Sequence, residues 1–165
     1  MFQKIPPSLR LWYPSVFLAS LAGIGFVRKM PGTIGSLIAL PTGYAIYHYA
    51  PLWVLLIAIL IALCTGLWAS HRWLIASPKD SDPQSIIIDE LVGQWIAMAA
   101  IAPYGLDIFS LAIAFCLFRF FDIIKPWPVY LADRRKDAIG IMLDDVIAGS
   151  MAAGLIYLVL GAKLL

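Results

Sequence analysis

The sequence predicts an all-α protein of the membrane: a polytopic integral membrane helical bundle of about five transmembrane or partly re-entrant helices, with an interfacial helix at the N-terminus. Hydrophobic residues make up 62% of the 165 residues and charged residues only 13%, whereas soluble domains are nearer half apolar and a quarter charged. The apolar residues form several runs that are long enough to cross a bilayer. The charged residues collect between alternate runs, which places them at one membrane surface.

Five apolar segments have the length of a membrane span, which takes roughly 17 to 25 residues. We predict spans at 33–49, 52–71, 86–102, 107–124 and 145–163. Pro41 and Gly43 predict a kink or a partly re-entrant path in the first span. Residues 8–22 have an amphipathic pattern, so we expect 1–23 to be an interfacial N-terminal segment with a short helix. The whole chain, 1–165, is then one membrane-embedded domain.

Nearly all basic residues lie on one side of this predicted topology. The N-terminal segment, the 72–85 loop and the 119–145 loop share that side, which carries every lysine and arginine except Lys163. The positive-inside rule makes it the cytoplasmic side. The acids also collect there, with only Asp107 on the other side. The rule does not govern acids, so their clustering needs a separate cause. The net charge of +2 is too small to indicate nucleic-acid binding.

A basic pair, Arg28 and Lys29, stands before a proline-glycine turn and a helix start. Pro31 and Gly32 would set the turn, and Thr33 is a good N-cap. The free N–H groups at a helix N-terminus suit an oxyanion such as phosphate. The structural alternative is a capped helix whose cations extend to the membrane surface.

Two pairs of adjacent acids stand at predicted helix mouths, Asp89–Glu90 and Asp144–Asp145. Gly93 follows Asp89 by one turn and Gly149 follows Asp145, and each glycine lets a neighbouring helix come close. Acids are favoured in first helical turns, but capping explains one carboxylate better than two pairs. Their mutual repulsion, together with that of Asp122, must be offset. A divalent cation offsets it, and ligation by oxygen alone favours Mg²⁺ or Mn²⁺ over zinc.

Arg119, Asp122 and Lys125 are spaced by three, so we expect them to share a helical face that ends at Pro126. The structural alternative is a ladder of ion pairs along one helix. However, Arg119 and Asp122 lie within an apolar segment, where ionisable groups are costly and usually mark function. Basic side chains, carboxylates and a divalent cation together are typical of phosphoryl chemistry.

These four segments resemble those of the phosphatidylglycerophosphatase A family. The matching stretches are MPGTIGS, DPQSIIIDELVGQW, FRFFDIIKPWP and DRRKDAIGIMLDDVIAG, in the family's order over most of residues 24–150. Gln84 stands where a small residue is expected, and Ser36 stands where threonine is expected; neither departure removes a charge. The resemblance implies a Mg²⁺-dependent membrane phosphatase that converts phosphatidylglycerophosphate to phosphatidylglycerol and phosphate. It also implies a multi-pass protein of the bacterial inner membrane, active in phospholipid biosynthesis, with its site facing the cytoplasm.

The residues and the resemblance together define the predicted site. The expected catalytic residues are Asp89, Glu90, Asp122 and Asp145. The expected Mg²⁺ ligands are Asp82, Asp89, Glu90, Asp122, Asp144 and Asp145. The expected phosphate-binding residues are Arg28, Lys29, Thr33, Arg119 and Lys125. A metal-activated water and an aspartyl-phosphate intermediate both remain open, since both use carboxylates and a metal.

Other chemistries fit the chain less well. A histidine-based lipid phosphatase needs two cooperating histidines, but His48 and His71 fall near opposite ends of neighbouring spans. A cysteine phosphatase needs a thiol in a phosphate loop, but Cys64 and Cys116 fall in mid-span. A CDP-alcohol phosphotransferase needs a long Asp-Gly and Ala-Arg motif, which the sequence lacks. The alternative outside enzymes is an ion- or proton-coupled transporter that uses the clustered carboxylates. The only predicted partner is the phospholipid substrate, and the sequence does not determine the oligomeric state.

Overall fold

The structure is a computed structural model that describes residues 8–78 and 83–161. These residues contain no β-strand, which confirms the all-α prediction. The helices are α1 (Pro14–Ala19), α2 (Pro31–Tyr49), α3 (Leu52–Ala76), α4 (Ile88–Ile101), α5 (Ile108–Ile124), α6 (Val129–Asp133) and α7 (Ala138–Gly161). Two short 3-10 turns, Ile24–Phe26 and Ala102–Tyr104, complete the regular structure.

Five long helices occupy the five predicted segments, and the largest differences from the predicted ends are those of α3 and α7. α3 continues to Ala76, so His71 and Arg72 lie inside the helix. α7 begins at Ala138 instead of 145, because the Asp137 side chain accepts a hydrogen bond of 2.8 Å from the Gly140 N–H and caps the helix earlier. The second acid pair therefore lies in the second turn of α7, and its predicted position at the helix mouth was wrong.

α2 also begins earlier than predicted. Met30 is its N-cap, with φ of 52°, and Pro31 occupies the first helical position. Proline suits that position because its fixed φ is helical and its missing N–H needs no partner there. Thr33 consequently lies in the first turn, and the prediction that it is the N-cap was wrong. Pro41 lies inside α2, and the helix continues past it to Tyr49.

The N-terminal segment contains the short helix that its amphipathic pattern predicts. Within 8–22, only α1 is helical, and Leu21 and Ala22 form a turn with positive φ. α1 packs against α3 and buries Val16, while Trp12 and Phe17 are exposed. A position at the membrane interface stays a prediction.

α4 is the central helix of the bundle. It contacts α2, α3, α5 and α7, so most of its side chains are buried, among them Val92 and Met98. The two acids in its first turn, Asp89 and Glu90, are therefore held among other helices.

Two helices, α3 and α7, are long and apolar enough to cross a membrane. With a rise of about 1.5 Å per residue, α3 is about 37 Å long, against about 30 Å for the hydrocarbon core of a bilayer. Only 17% of its apolar window is buried, whereas a core helix of a soluble protein is mostly buried. Leu60 and Ile61 are among its exposed apolar side chains. The exposed apolar surface of α3 is typical of a membrane protein.

Long helices that follow one another in the chain run in opposite directions, so α2, α4 and α7 begin at one end of the bundle. The N-terminal ends of α2 and α4 and the C-terminal end of α5 meet, since Arg119 lies within hydrogen-bond distance of Thr33 and Glu90 lies against Gly32. Lys125, just after α5, contacts Asp144 near the start of α7. We call this end of the bundle the polar end.

Candidate active site

A cavity of about 470 Å³ opens at the polar end. α2, α4, α5 and α7 line it, together with the segment before α4. Its charged lining residues are Arg28, Asp89, Glu90, Arg119, Asp122, Lys125, Asp144 and Asp145. The four segments that the sequence analysis selected therefore meet in one place.

Two glycines bring α4 and α7 into direct contact beside the cavity. A Cβ atom on Gly149 would collide with the backbone carbonyl of Gly93, and a Cβ atom on Gly93 would lie 2.7 Å from the carbonyl oxygen of Asp145. Neither position accepts a side chain without moving the helices apart. The prediction of a close approach at these glycines is confirmed. Because the acids lie one turn from the glycines, this contact places Asp89 next to Asp145.

Asp89, Glu90 and Asp145 form a cluster that we call the carboxylate trio. One carboxylate oxygen from each residue lies within 4.8 Å of the others. The relative exposure is 8% for Asp89 and 3% for Asp145, and Glu90 is half-buried. Glu90 Oε2 and Asp145 Oδ1 have no hydrogen-bond partner among the described residues. No lysine or arginine within 8–78 and 83–161 forms an ion pair with the trio.

The surroundings of the trio fit a divalent cation. Buried carboxylates a few ångströms apart repel one another, and leaving a buried charge unpaired is strongly destabilising. The donors are all carboxylate oxygens, which suit Mg²⁺ or Mn²⁺ and not zinc. Two of these oxygens are buried without any partner, so they are available as ligands.

The other two carboxylates in the cavity each have a basic partner. Arg119 Nη1 lies 2.5 Å from Asp122 Oδ2, and Lys125 Nζ lies 2.7 Å from Asp144 Oδ2. Both acids were predicted, together with the trio, to be metal ligands. Their charges are compensated by these basic side chains, but Asp122 also interacts with Asp145 and Glu90, so metal ligation by Asp122 and Asp144 stays a prediction.

Lys125 also forms an ion pair with Asp133, a residue that the sequence analysis did not select. Asp133 belongs to α6, eight residues after Lys125, and no helical spacing connects the two positions. The contact depends on the turn at Pro126, which carries the chain from α5 to α6. Only the fold could identify this residue.

Lys125 does not share the helical face of Arg119 and Asp122, so that part of the prediction was wrong. α5 ends at Ile124, and Lys125 is its C-cap, with φ of 48°. The side chain consequently turns toward α6 and α7. Burial alone would lower the pKa of Lys125, but the hydrogen bonds to Asp133 and Asp144 outweigh it and raise the pKa above its ordinary value. Lys125 is therefore a fixed cation at the edge of the cavity.

Arg119 connects α5 to the start of α2. Its Nη1 and Nη2 atoms lie 3.4 Å from Ser36 Oγ and Thr33 Oγ1, respectively. Its Nε atom is buried without a partner among the described residues. Next to it, Gly32 leaves space for the Glu90 carboxylate, since a Cβ atom there would collide with Glu90 Oε1. Ser36 was not selected as a site residue, although it belongs to the first motif.

The remaining predicted site residues differ in whether they line the cavity. Thr33 and Arg28 line the cavity. Lys29 is exposed and is not among the described lining residues. Asp82 lies outside the described residues, so its predicted metal ligation stays a prediction.

The histidines and cysteines are not brought together. His48 stacks on Tyr44 at the end of α2 away from the cavity, with 5.7 Å between ring centroids. His71 lies in α3. Cys64 and Cys116 are free and exposed. None of these four residues lines the cavity within the described part of the chain.

Comparison with known proteins gives consistent matches. The model of the phosphatidylglycerophosphatase A family matches residues 17–160. Phosphatidylglycerophosphatase A of Escherichia coli is 34% identical over 155 residues, which cover 92% of this chain and 86% of that protein. The protein of the same name from Haemophilus influenzae is 33% identical over 150 residues, 90% of each chain. A putative phosphatidylinositol-3-phosphatase of Bacteroides thetaiotaomicron is 34% identical over 138 residues, 81% of this chain and 86% of that protein. No solved structure matches the chain.

Proposed function

The chain belongs to the phosphatidylglycerophosphatase A family, and on this premise we propose that it is a membrane lipid phosphatase that hydrolyses phosphatidylglycerophosphate to phosphatidylglycerol and phosphate. One observation carries the proposal: the carboxylate trio shares a cavity with Arg119 and Lys125. The negative charge of the trio favours binding of a cation, and the positive charge of the two basic residues favours binding of an anion. A phosphate monoester with a divalent cation satisfies both.

The membrane arrangement belongs to the same proposal. The five long helices are five spans in the bacterial inner membrane, the whole chain is one domain, and the polar end faces the cytoplasm. The sequence supports this orientation, because basic residues collect on the cytoplasmic side of membrane proteins. The cavity then lies at headgroup depth, where a lipid phosphate is found.

Asp89, Glu90 and Asp145 would hold Mg²⁺, with Asp82 as a further candidate ligand. When bound, Mg²⁺ supplies Lewis acidity toward a phosphoryl oxygen and neutralises developing charge. The two partnerless carboxylate oxygens of the trio are the first candidates for ligation. Asp122 and Asp144 then act mainly through their basic partners, holding Arg119 and Lys125 in place.

Arg119 and Lys125 would bind the non-bridging oxygens of the substrate phosphate, as charge-assisted hydrogen-bond donors. A carboxylate of the site removes a proton from the attacking water as the water oxygen bonds to phosphorus. The bond from phosphorus to the glycerol oxygen breaks, and that oxygen takes up a proton to leave as the alcohol. Direct attack by a carboxylate, followed by hydrolysis, would use the same residues. Arg28 and Thr33 line the entrance for the anion.

A second candidate substrate follows from one relative. The Bacteroides protein is named as a putative phosphatidylinositol-3-phosphatase, so a phosphoinositide headgroup is the second candidate. Both lipids present a phosphate monoester to the same set of cations. A carboxylate-coupled transporter remains the alternative outside enzymes, and a phosphatase assay separates it from both.

The purified protein in mixed micelles tests the proposal by phosphate release from three lipids: phosphatidylglycerophosphate, phosphatidylinositol 3-phosphate and phosphatidic acid. Each is assayed with Mg²⁺ and with EDTA, and an Asp145→Asn variant purified identically controls for contaminating phosphatases. We expect the fastest release from phosphatidylglycerophosphate, only with Mg²⁺. No release from any of the lipids contradicts the enzyme assignment, and full release in EDTA contradicts the metal.

A further inference from the structure

An apolar groove of about 490 Å³ lies on the outer surface between α2 and α5. α2 contributes Leu37, Pro41 and Tyr44, among others, and α5 contributes Ile108, Ala112 and Phe115. Leu37, Tyr44 and Ile108 are exposed, so the groove is open from the side. In a membrane protein this opening faces the lipid.

The groove continues the same two helix faces that line the active-site cavity. Leu37 follows Thr33 by four residues, and Phe115 precedes Arg119 by four. Residues four apart lie on one helical face, one turn apart, and both Thr33 and Arg119 line the cavity. From Leu37 to Tyr44 the groove runs about 10 Å along α2, away from the polar end.

The rim of the cavity on this side is apolar. Met30 and Ile123 line the cavity, yet they remain 66% and 63% exposed. Large exposed apolar side chains beside a charged cavity are unfavourable in water, but they suit contact with a lipid. Between this rim and the groove, the Arg119 guanidinium lies 3.4 Å from Thr33 Oγ1.

A second apolar hollow, between α5 and α7, has no such continuity. Its volume is about 260 Å³, and its residues on α7 begin at Leu155. Leu155 is ten residues beyond Asp145, a distance of about 15 Å along the helix. Its residues on α5, Ile113 and Leu117, also lie on a different face of that helix from Arg119, so the hollow does not continue the helix faces that line the cavity.

We propose that the groove between α2 and α5 binds an acyl chain of the substrate lipid while its phosphate lies in the cavity. This inference rests on the proposed phosphatase function. The lipid enters sideways from the bilayer, past Met30 and Ile123, and Arg119 receives the headgroup at the top of the groove. Its occupant is the substrate's own chain, because the groove continues the faces of α2 and α5 that line the cavity in which the phosphate binds.

An Ala112→Trp variant tests the inference, because a tryptophan at this small, exposed position fills the groove without touching the cavity. Phosphate release is measured with dioleoyl phosphatidylglycerophosphate and with its deacylated, water-soluble headgroup. We expect kcat/KM for the dioleoyl lipid to fall about 10- to 100-fold, because a displaced chain shifts the phosphate from its reactive position. Turnover of the deacylated substrate should stay near the wild-type value.

Cys64→Trp is the matched control, since Cys64 is exposed on α3, away from the groove. It should leave both activities unchanged. If Ala112→Trp does not accumulate in folded form, Ala112→Leu fills part of the same space and is assayed in the same way.

The assay results distinguish a failure of this inference from a failure of the proposed function. If the wild-type protein releases no phosphate from any lipid, the proposed function fails. If the wild type is active and Ala112→Trp processes the dioleoyl lipid normally, the groove does not bind the chain. Equal losses in Ala112→Trp and Cys64→Trp, or equal losses on the lipid and its deacylated headgroup, also contradict the inference.

Discussion

The carboxylates of the cavity differ in what surrounds them. Asp122 and Asp144 contact Arg119 and Lys125 at 2.5 and 2.7 Å. Asp89, Glu90 and Asp145 have no ion-pair partner in the described ranges, and two of their oxygens are buried without a hydrogen bond. The first group is electrostatically complete in the protein alone. The second has no such compensation from the described basic residues, so we propose that the trio binds the metal and the paired acids position basic side chains.

The two acids of the second pair have different neighbours in the fold. Asp144 and Asp145 are adjacent, but α7 turns by about 100° per residue, so they face different neighbours. Asp145 faces Asp89 and Glu90, whereas Asp144 faces Lys125. We therefore propose that these adjacent acids have separate roles, and each role can be tested by the same substitution.

The largest effect should come from Asp89→Asn or Asp145→Asn. Asparagine has nearly the same shape as aspartate but removes one charge of the proposed metal site. Phosphate release should fall at least about 1,000-fold, while the amount of membrane-inserted protein stays unchanged. Near-normal turnover in both variants would mean that the site is elsewhere.

A smaller loss is expected from Gly149→Val, which separates α4 from α7. The added side chain collides with the Gly93 carbonyl and moves Asp145 away from Asp89. We expect about a 100-fold loss of kcat, the usual scale for a misplacement near 1 Å. Gly154→Val is the control, because a Cβ atom there meets no atom within 4 Å. Equal activities in the two variants would contradict the role of this contact.

Lys125→Gln, which removes the basic partner of Asp144, should reduce activity moderately. The change removes one cation from the proposed phosphate site and one charge-assisted bond, so we expect about a tenfold loss, mainly as a higher KM. Lys136→Gln, in the exposed segment after α6, serves as the control for loss of positive charge. If kcat falls with unchanged KM, Lys125 does not act in substrate binding.

The smallest effect on activity is expected from Asp137→Ala, outside the cavity. Its pKa is lowered by the hydrogen bonds from Arg135 and from the Gly140 N–H. A carboxylate with a lowered pKa stabilises the fold above its ordinary pKa, and the contribution is lost as the pH falls through the lowered value. At neutral pH the variant should lose about 2 to 4 °C of melting temperature, with unchanged kcat/KM. A large loss of activity would indicate that the start of α7 contributes to the site.

Local patterns predicted much of this structure. Apolar runs located the five long helices, and Gly93 and Gly149 correctly indicated where two helices touch. The start of α7 was missed because its capping bond involves Asp137, in a charged stretch that was taken for a loop. The partners of Lys125 were missed because they depend on the path of the chain after Pro126. Sequence spacing describes neighbours along one helix, whereas the sorting of the acids depends on contacts between helices.

The groove between α2 and α5 also could not be predicted from the sequence. Its residues on α5, such as Ala112 and Phe115, are indistinguishable in sequence from any other lipid-facing positions. Only the packing of α2 against α5 shows that these residues line a groove leading away from the cavity. A substrate-binding surface made of apolar residues in a membrane has no compositional signal of its own.

The claim that the trio holds the metal is tested most directly by Mg²⁺ binding to variants of the adjacent residues Asp144 and Asp145. Binding to the native state raises the melting temperature, so the thermal response to Mg²⁺ is measured for wild type, Asp144→Asn and Asp145→Asn. We predict that Asp144→Asn retains the response of the wild type, whereas Asp145→Asn needs at least about tenfold more Mg²⁺ or does not respond. An unresponsive wild type, or a loss confined to Asp144→Asn, would contradict the assignment of the metal to the trio.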